Sequence, residues 1–285
     1  MASVTEVWRY PAKSMQGESL PAAAFGTNGI AGDRGWAVRD EERGGIRGAK
    51  KIGSLMQLAA RYRREPEIGS TPPAVDITLP DGTIVASDGS DVDIRLSAAL
   101  DHRVTLWPLL PADSLDHYRR GAADSDDLDT ELRAIFGREP DEPLPDLSVF
   151  PPEIVEYESP LGTYFDAFPI LLVTRQSLDN LAAIAPGSQI DVRRFRPNLV
   201  VDAPESDERW PELAWVGRSI RIGPVTLDVV TGCPRCVMVT RPFADLPEDR
   251  GVLRAVVRGA NQIIGAYATV RAPGSIAVGD TLTFE

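Results

Sequence analysis

The 285-residue sequence predicts a mainly β fold with some helix, an α+β chain in which the sheet is expected to close as a barrel. Three observations support that expectation. Short apolar runs rich in β-branched residues recur from end to end, divided by 24 glycines and 24 prolines. One pair of runs, 75–79 and 83–86, alternates on both sides of the Pro80, Asp81, Gly82 turn, the pattern of a hairpin. Helical spacing is confined to brief stretches.

In chain order, residues 4–10 read as a strand that stops at Pro11. Residues 32–35 (GDRG) turn and lead into a second strand through 39, the hairpin of 75–86 follows, and 91–100 fits a short helix before a strand at 104–107. Residues 111–153 change character. Asp124, Asp126, Asp127, Asp129 and Glu131 cluster, and prolines follow at 140, 143, 145, 151 and 152. This predicts a helix at 128–136 inside an otherwise extended, partly mobile connector. Its acidic residues read as a solvated face, since no cation-binding D-x-D-x-D-G loop is present. Beyond it, 169–173 reads as a buried strand, and Ser177 as the cap of a helix over 178–184. Strands are expected at 198–201, 219–222, 225–230, 266–270 and 281–284, with turns at Gly223-Pro224, Gly274 and Gly279-Asp280. No internal repeat is visible. The resulting division is 1–110, a connector 111–153, and 154–285.

Composition narrows the function classes. With 43% hydrophobic and 25% charged residues, the chain has ample material for a core. A net charge of -12 argues against nucleic acid as a partner, because phosphate recognition needs a basic footprint. A local cluster of Arg and Lys can still hold a small anion. No apolar run approaches about 18 residues, so no membrane span is expected. The first residues lack the basic start and apolar run of a signal peptide. With only two cysteines, this predicts a cytoplasmic, reducing setting in which C-x-x-C means metal or redox chemistry more often than a staple.

Four segments could carry chemistry: Lys13 with Ser14, the turn 32–35 holding Arg34, the run 193–198 (RRFRPN) ending in Arg196 and Asn198, and 231–240 (TGCPRCVMVT). The last holds Cys233 and Cys236, with Arg235 directly before Cys236 and Thr240 closing the segment. A cation beside a thiol stabilises the thiolate, which is both nucleophile and soft metal ligand. Brought together, the four would form a donor-rich cavity for phosphate or carboxylate around one thiolate. Read singly, each has a plainer meaning. Lys13 fits a solvated strand end, Arg34 a surface ion pair with Asp33, and Arg193, Arg194 and Arg196 a basic edge strand. The cysteines also fit two inert buried thiols. A redox pair would open a helix, which this context does not predict, and structural zinc lacks ligands, since only His102 and His117 remain.

Seven segments in order make the chain resemble the MOSC domain family, the group named for the C-terminal domain of molybdenum cofactor sulfurase. They are 8–14 (WRYPAKS), 32–34 (GDR), Ser177 with Leu178, 195–198 (FRPN), 233–236 (CPRC), Thr240 and 274–280 (GSIAVGD). The likeness is to the two-domain branch that includes the mitochondrial amidoxime-reducing component and bacterial relatives. It implies an N-terminal MOSC-associated β-barrel, a C-terminal MOSC β-barrel, and a molybdenum cofactor, a pterin-bound molybdenum, between them. By the same resemblance Cys236 would be the metal ligand and catalytic residue. Lys13, Ser14, Arg34, Arg196, Asn198, Arg235 and Thr240 would bind or line the cofactor. The activity implied is reduction of small N-hydroxylated compounds. The absence of a G-x-G-x-x-G unit points to electrons from a partner protein carrying flavin or iron–sulfur. The alternative is a sulfur-transfer or cofactor-carrier protein related to the sulfurases. One departure stands out: where relatives place small hydroxyl residues before the strand at 169–173, this chain has Ala167 and Phe168.

Overall fold

The computed structural model describes residues 1–204 and 206–285. Its largest sheet has eight strands, in the order Leu282–Phe284, Ser219–Ile222, Val225–Pro234, Ile263–Ala272, Ile170–Thr174, Leu199–Asp202, Ser3–Arg9 and Glu18–Leu20. The first strand of the chain therefore lies inside a sheet made mostly by the C-terminal half. Neighbours run antiparallel, except that Ile170–Thr174 and Leu199–Asp202 are parallel. A parallel pair needs a crossover, and helix Arg175–Ile184 provides it. Three further sheets have three strands each among the described residues. Trp36–Asp40 lies between Val104–Pro108 and Ile46–Arg47. Ala59–Tyr62 extends the hairpin of Val75–Thr78 and Ile84–Ala86. Gly274–Ala277, at the far end of the sequence, pairs with Ala22–Gly26, so Gly274 begins a strand where a turn was expected.

Three apolar clusters flank the site, and two of them meet at the cysteine segment. One lies against the large sheet, with Val7, Leu172, Leu199 and Leu227 fully buried. The second packs the N-terminal strands and takes in Met238 and Phe243. The third joins helices Arg175–Ile184 and Arg250–Gly259 through Leu181, Val252 and Val256, and takes in Val239. Residues Val237–Thr240 form a single 3-10 turn after Cys236. Adjacent side chains on that turn enter different cores, so Cys236 is fixed where they join.

Several sequence expectations change here. The helix after the buried strand begins at Arg175, and its cap is Thr174, whose hydroxyl accepts from Ser177 N at 3.2 Å. Ser177 is inside the first turn, because the preceding residue already had the extended backbone a cap needs. Helix Arg250–Gly259 was not anticipated. Its apolar face is Val252, Leu253, Val256 and Val257, and Asp249 caps it by accepting from Gly251 N at 2.9 Å. The β-branched valines and terminal glycines mask a helical period that the spacing does contain. The arginine run is a short helix, Val192–Phe195, not an edge strand. In 111–153, helix Leu128–Phe136 forms as expected, with Asp127 as its cap. The segment also packs inward: Phe136, Arg138 and Glu142 are buried.

The crossover is locked by a buried carboxylate. Glu212, fully buried, accepts from Thr174 Oγ1 at 2.6 Å, Ser177 Oγ at 2.5 Å and Gly265 N at 3.0 Å. Burial pushes its carboxyl above the ordinary value of 4.5, against hydrogen bonds that pull it down. The native state then holds a proton more readily than the unfolded chain. Its stabilising share is present below about 4.5 and is lost as pH rises through the raised native value. The melting temperature of the protein minus that of Glu212→Gln, which cannot titrate, should fall across that window; a flat difference by calorimetry would contradict the assignment. Glu212→Ala, which strands three donors, should cost about 2–4 kcal/mol in chemical denaturation.

Candidate functional site

The segments singled out in the sequence line one cavity of about 510 Å³. It opens between the strand-end loops of the N-terminal sheets, the N-terminal edge of Ile170–Thr174, and the cysteine segment. Lys13, Ser14, Arg34, Arg196, Asn198, Arg235, Cys233 and Cys236 all line it. Thr240 does not; its hydroxyl donates to Val237 O at 2.7 Å and closes its own turn.

Backbone conformation places the donors. Ser14, Arg34 and Arg196 have φ of 66°, 52° and 55°, in the left-handed region. Each costs roughly 1–2 kcal/mol for a residue with a Cβ, and such strain gathers at functional sites. Arg196 takes that conformation as the residue that closes helix Val192–Phe195, its N–H bonding back to Val192 O, and Pro197 stops the helix beyond it. Gly48 lets the loop of Ser14 close: a Cβ there would stand 2.8 Å from Ser14 Oγ.

One carboxylate ties three of these segments. Asp33 Oδ1 accepts from Tyr10 N at 2.8 Å, and Oδ2 from Asn198 Nδ2 at 3.1 Å, while the same group pairs with Arg34. The Asp33–Arg34 pair anticipated as a surface feature is therefore buried, with the Asp33 side chain 2% exposed. Tyr10 also stacks under two cations, with Arg196 4.2 Å and Arg34 5.1 Å from its ring centre. Asn198 spends its amide inside this joint, accepting from Leu171 N at 3.1 Å and donating to Trp8 O and Asp33.

The charge balance of the cavity opposes that of the chain. Nine basic side chains line it against three acidic ones, in a protein of net charge -12. Some of that charge is already matched. Lys13 and Lys50 grip Asp166 at 2.8 and 2.9 Å. Burial would raise the Asp166 carboxyl, but the two lysines hold it well below the usual range. Lys13 spends its other protons on Tyr164 O and Ser159 Oγ, and burial lowers its pKa despite Asp166. Of the donors at the cavity, Arg196 Nη2 and Arg235 Nε are buried and without a partner among the described residues. Burial pushes the Arg196 guanidinium down to about 10, with Arg34 adding repulsion. Buried guanidinium groups in that condition favour a bound anion. Ser14 Oγ accepts from Ala49 N at 2.9 Å, which leaves its proton for a ligand.

The cysteines differ in a way their spacing could not show. Arg235, next to Cys236 in sequence, donates to Cys233 Sγ at 3.0 Å and to Phe195 O at 2.6 Å. Cys233 is 2% exposed, and burial raises its thiol against the pull of Arg235. Cys236 is half-buried. Its cationic neighbours include residues the sequence reading did not select. Burial opposes the charge of Lys50, but Asp166 and then Cys236 outweigh it and raise its pKa. Arg138 donates to Arg235 O at 3.1 Å and Gln262 Oε1 at 3.0 Å, reaching the cysteine loop from the acidic connector. Neither position lies in a motif that marks it. Lys50 follows a Gly and Ala in a loop, and Arg138 follows a helix end; only the fold brings them in. Phe168 lines the cavity and packs on Tyr267 with ring centres 5.2 Å apart, while Ala167 is buried beside it. Arg193 pairs with Asp191 and Asp245 and stays off the cavity.

Residues 1–109 match the MOSC N-terminal beta barrel domain, and residues 162–283 match the MOSC domain. The chain belongs to the MOSC family, in a form that carries both domains. The relatives are more particular. Mitochondrial amidoxime reducing component 2 of Bos taurus is 23% identical over 98% of this chain and 82% of its own length. Mitochondrial amidoxime-reducing component 1 of Danio rerio is 33% identical over 41% of this chain and 37% of that protein. Among solved structures, the YUAD protein from Bacillus subtilis aligns over 99% of this chain and 94% of its own with a TM-score of 0.44 at 13% identity. No helix among the described residues is long and apolar enough to cross a membrane.

Two outcomes test this geometry. Asp33→Ala leaves Arg34 and Asn198 buried without their acceptor and should cost about 3–5 kcal/mol in denaturant unfolding. A loss under about 1 kcal/mol would mean that the joint is dispensable. In the folded protein, alkylation followed by peptide mass spectrometry should label Cys236 well before Cys233, since burial keeps Cys233 protonated and covered. Equal labelling rates would contradict the environments described.

Proposed function

We propose that the cavity binds a molybdenum cofactor and that the protein, in a reducing cytoplasm, reduces N-hydroxylated compounds with electrons from a partner protein. The observation that supports this best is the donor set. A basic cavity with two unpaired buried guanidinium N–H groups surrounds one half-buried thiol. That set suits an anionic ligand carrying a soft metal. No group of three or more His, Cys, Asp or Glu among the described residues is placed to hold a metal ion. A metal at Cys236 would thus bring most of its ligands with it, as a pterin-bound metal does. The MOSC family is associated with binding of this cofactor.

Roles follow from which hydrogen-bond positions are open. Cys236 Sγ is the protein's metal ligand. Arg196 Nη2, Arg235 Nε and the Ser14 hydroxyl donate to the cofactor's phosphate and ring. Arg34 and Lys13 supply charge, already oriented by Asp33 and Asp166. Asn198 acts by holding the Asp33 joint, since its amide is engaged. The bound group would supply the two-electron oxygen-transfer chemistry, and the chain its orientation and electrostatics. Phe168 and Ala167 offer no side-chain hydrogen bond at this edge of the cavity, so binding here leans on the arginines. The sequence contains no dinucleotide-binding G-x-G-x-x-G unit, which is why a flavin or iron–sulfur partner delivers the electrons.

Molybdenum and pterin analysis of protein from a host competent in cofactor synthesis should find both. Cys236→Ser should abolish retention or turnover, Cys233→Ser should leave most of it, and Arg196→Gln should weaken binding roughly ten- to hundredfold. NADH alone should give no turnover and reduced viologen should drive it. Robust NADH-driven turnover by the pure chain would refute the partner, and sulfane sulfur without molybdenum would favour the sulfur-carrier reading.

A further inference from the structure

We propose that residues 128–155 form an apolar vestibule above the basic floor of the cavity, and that it selects substrates whose N-hydroxylated group is carried on an apolar body. The inference rests on the reading that the cofactor occupies the floor and extends it to the substrate. Leu128, Leu132 and Ile135 lie on one face of helix Leu128–Phe136, at spacings of four and three. Phe150, Ile154 and Val155 face the same cavity from the proline-rich stretch and its 3-10 turn, Pro152–Val155. All six line the space that also holds Cys236.

Lone exposed apolar residues need no explanation, but these converge on the mouth of one cavity. Leu128 is 70% and Val155 80% exposed. The wall is nevertheless anchored from behind. Arg254 binds Gly137 O and Glu142, and Arg138 ties the helix end to the cysteine loop. The charged groups at this level are spoken for: Glu131 pairs with Lys51, and Arg120 pairs with Glu158 at 2.8 Å. A charged or strongly hydrated body placed here would lose water without gaining a partner. An apolar body gains about fourfold in affinity per methylene buried. The polar N–O end would then face the group held at Cys236 on the basic floor.

The test has two arms. Calorimetric binding to cofactor-loaded protein is measured for acetamidoxime, benzamidoxime and naphthamidoxime, which share a head and differ in apolar body. In parallel, anilinonaphthalene sulfonate, an anion on an aromatic body, is titrated by fluorescence into cofactor-free protein. Affinity should climb at least tenfold along the series. Leu128→Asp and Val155→Asp, at positions the fold leaves in water, should flatten the series and weaken the dye at least tenfold. Ile94→Asp, equally exposed but away from the cavity, should do neither. A flat series in the wild type, or equal effects from Ile94→Asp, overturns the vestibule. So does a Leu128→Asp variant that keeps the series but impairs the electron donor's KM, which would make the surface a protein docking face. The cofactor reading fails separately: no molybdenum on metal analysis, with dye binding still dependent on Leu128, removes that reading and supports the vestibule.

Discussion

Asp33 gathers three distant parts of the chain onto one buried carboxylate: the end of the first strand at Tyr10, its own turn at Arg34, and the crossover exit at Asn198. The Arg34, Arg196 and Asn198 side of the cavity is built on that joint. Tyr10 carries Arg196 on its ring, and Asn198 N in turn donates to Leu171 O at 2.7 Å, fixing the strand edge that forms one wall. A carboxylate suits the place because it accepts several hydrogen bonds at once and balances a cation that would otherwise be costly to bury. The joint also explains why Arg34 and Arg196 tolerate left-handed backbone. Both residues hold left-handed backbone with their guanidinium groups at the cavity, and the Asp33 and Tyr10 contacts offset part of that strain.

The cavity concentrates positive charge in an acidic protein by two different devices. Some cations are partly neutralised locally, as Lys13 and Lys50 are by the single charge of Asp166. Others are buried against carbonyls. Arg194, fully buried, donates to the carbonyls of Gln189, Val239, Arg241 and Pro247, pinning the strand of chain that follows Cys236. Carbonyl oxygens satisfy a guanidinium's protons without cancelling its charge. The field in the cavity is therefore larger than its unpaired donors alone suggest, which is what an anionic ligand requires of a chain whose global charge repels it.

The segment 111–153 links these devices to solvent. Composition marks it as solvated and loosely structured, and Asp124, Asp126, Asp127 and Asp129 do lie at the surface, while Glu142 is buried. Asp124 and Glu131 nevertheless meet Lys51, so that negative charge is spent at the rim of the positive cavity. Arg138 passes beneath, and the apolar side chains of the same helix face the opening. One stretch thus serves as rim, support and wall.

The sequence by itself determined the kind of fold and the chemistry available to it. Strand runs divided by glycine and proline, the hairpin of 75–86 and the helix of 128–136 are local patterns, and local patterns survive folding unchanged. The four donor-bearing segments were legible for the same reason, because unusual residues at strand ends stand out without a structure. Tertiary structure decided which partner each of them takes. Arg235 is adjacent to Cys236 in sequence but turns to Cys233, since a residue's neighbours along an extended chain point to opposite sides. Lys50, Asp166 and Arg138 carry no local mark and enter the site only through pairings of loops far apart in the chain. Thr240 was marked by its motif but spends its hydroxyl on its own turn. Long-range pairing, burial and the competition for hydrogen bonds are properties of the folded whole, and short-range pattern holds no record of them.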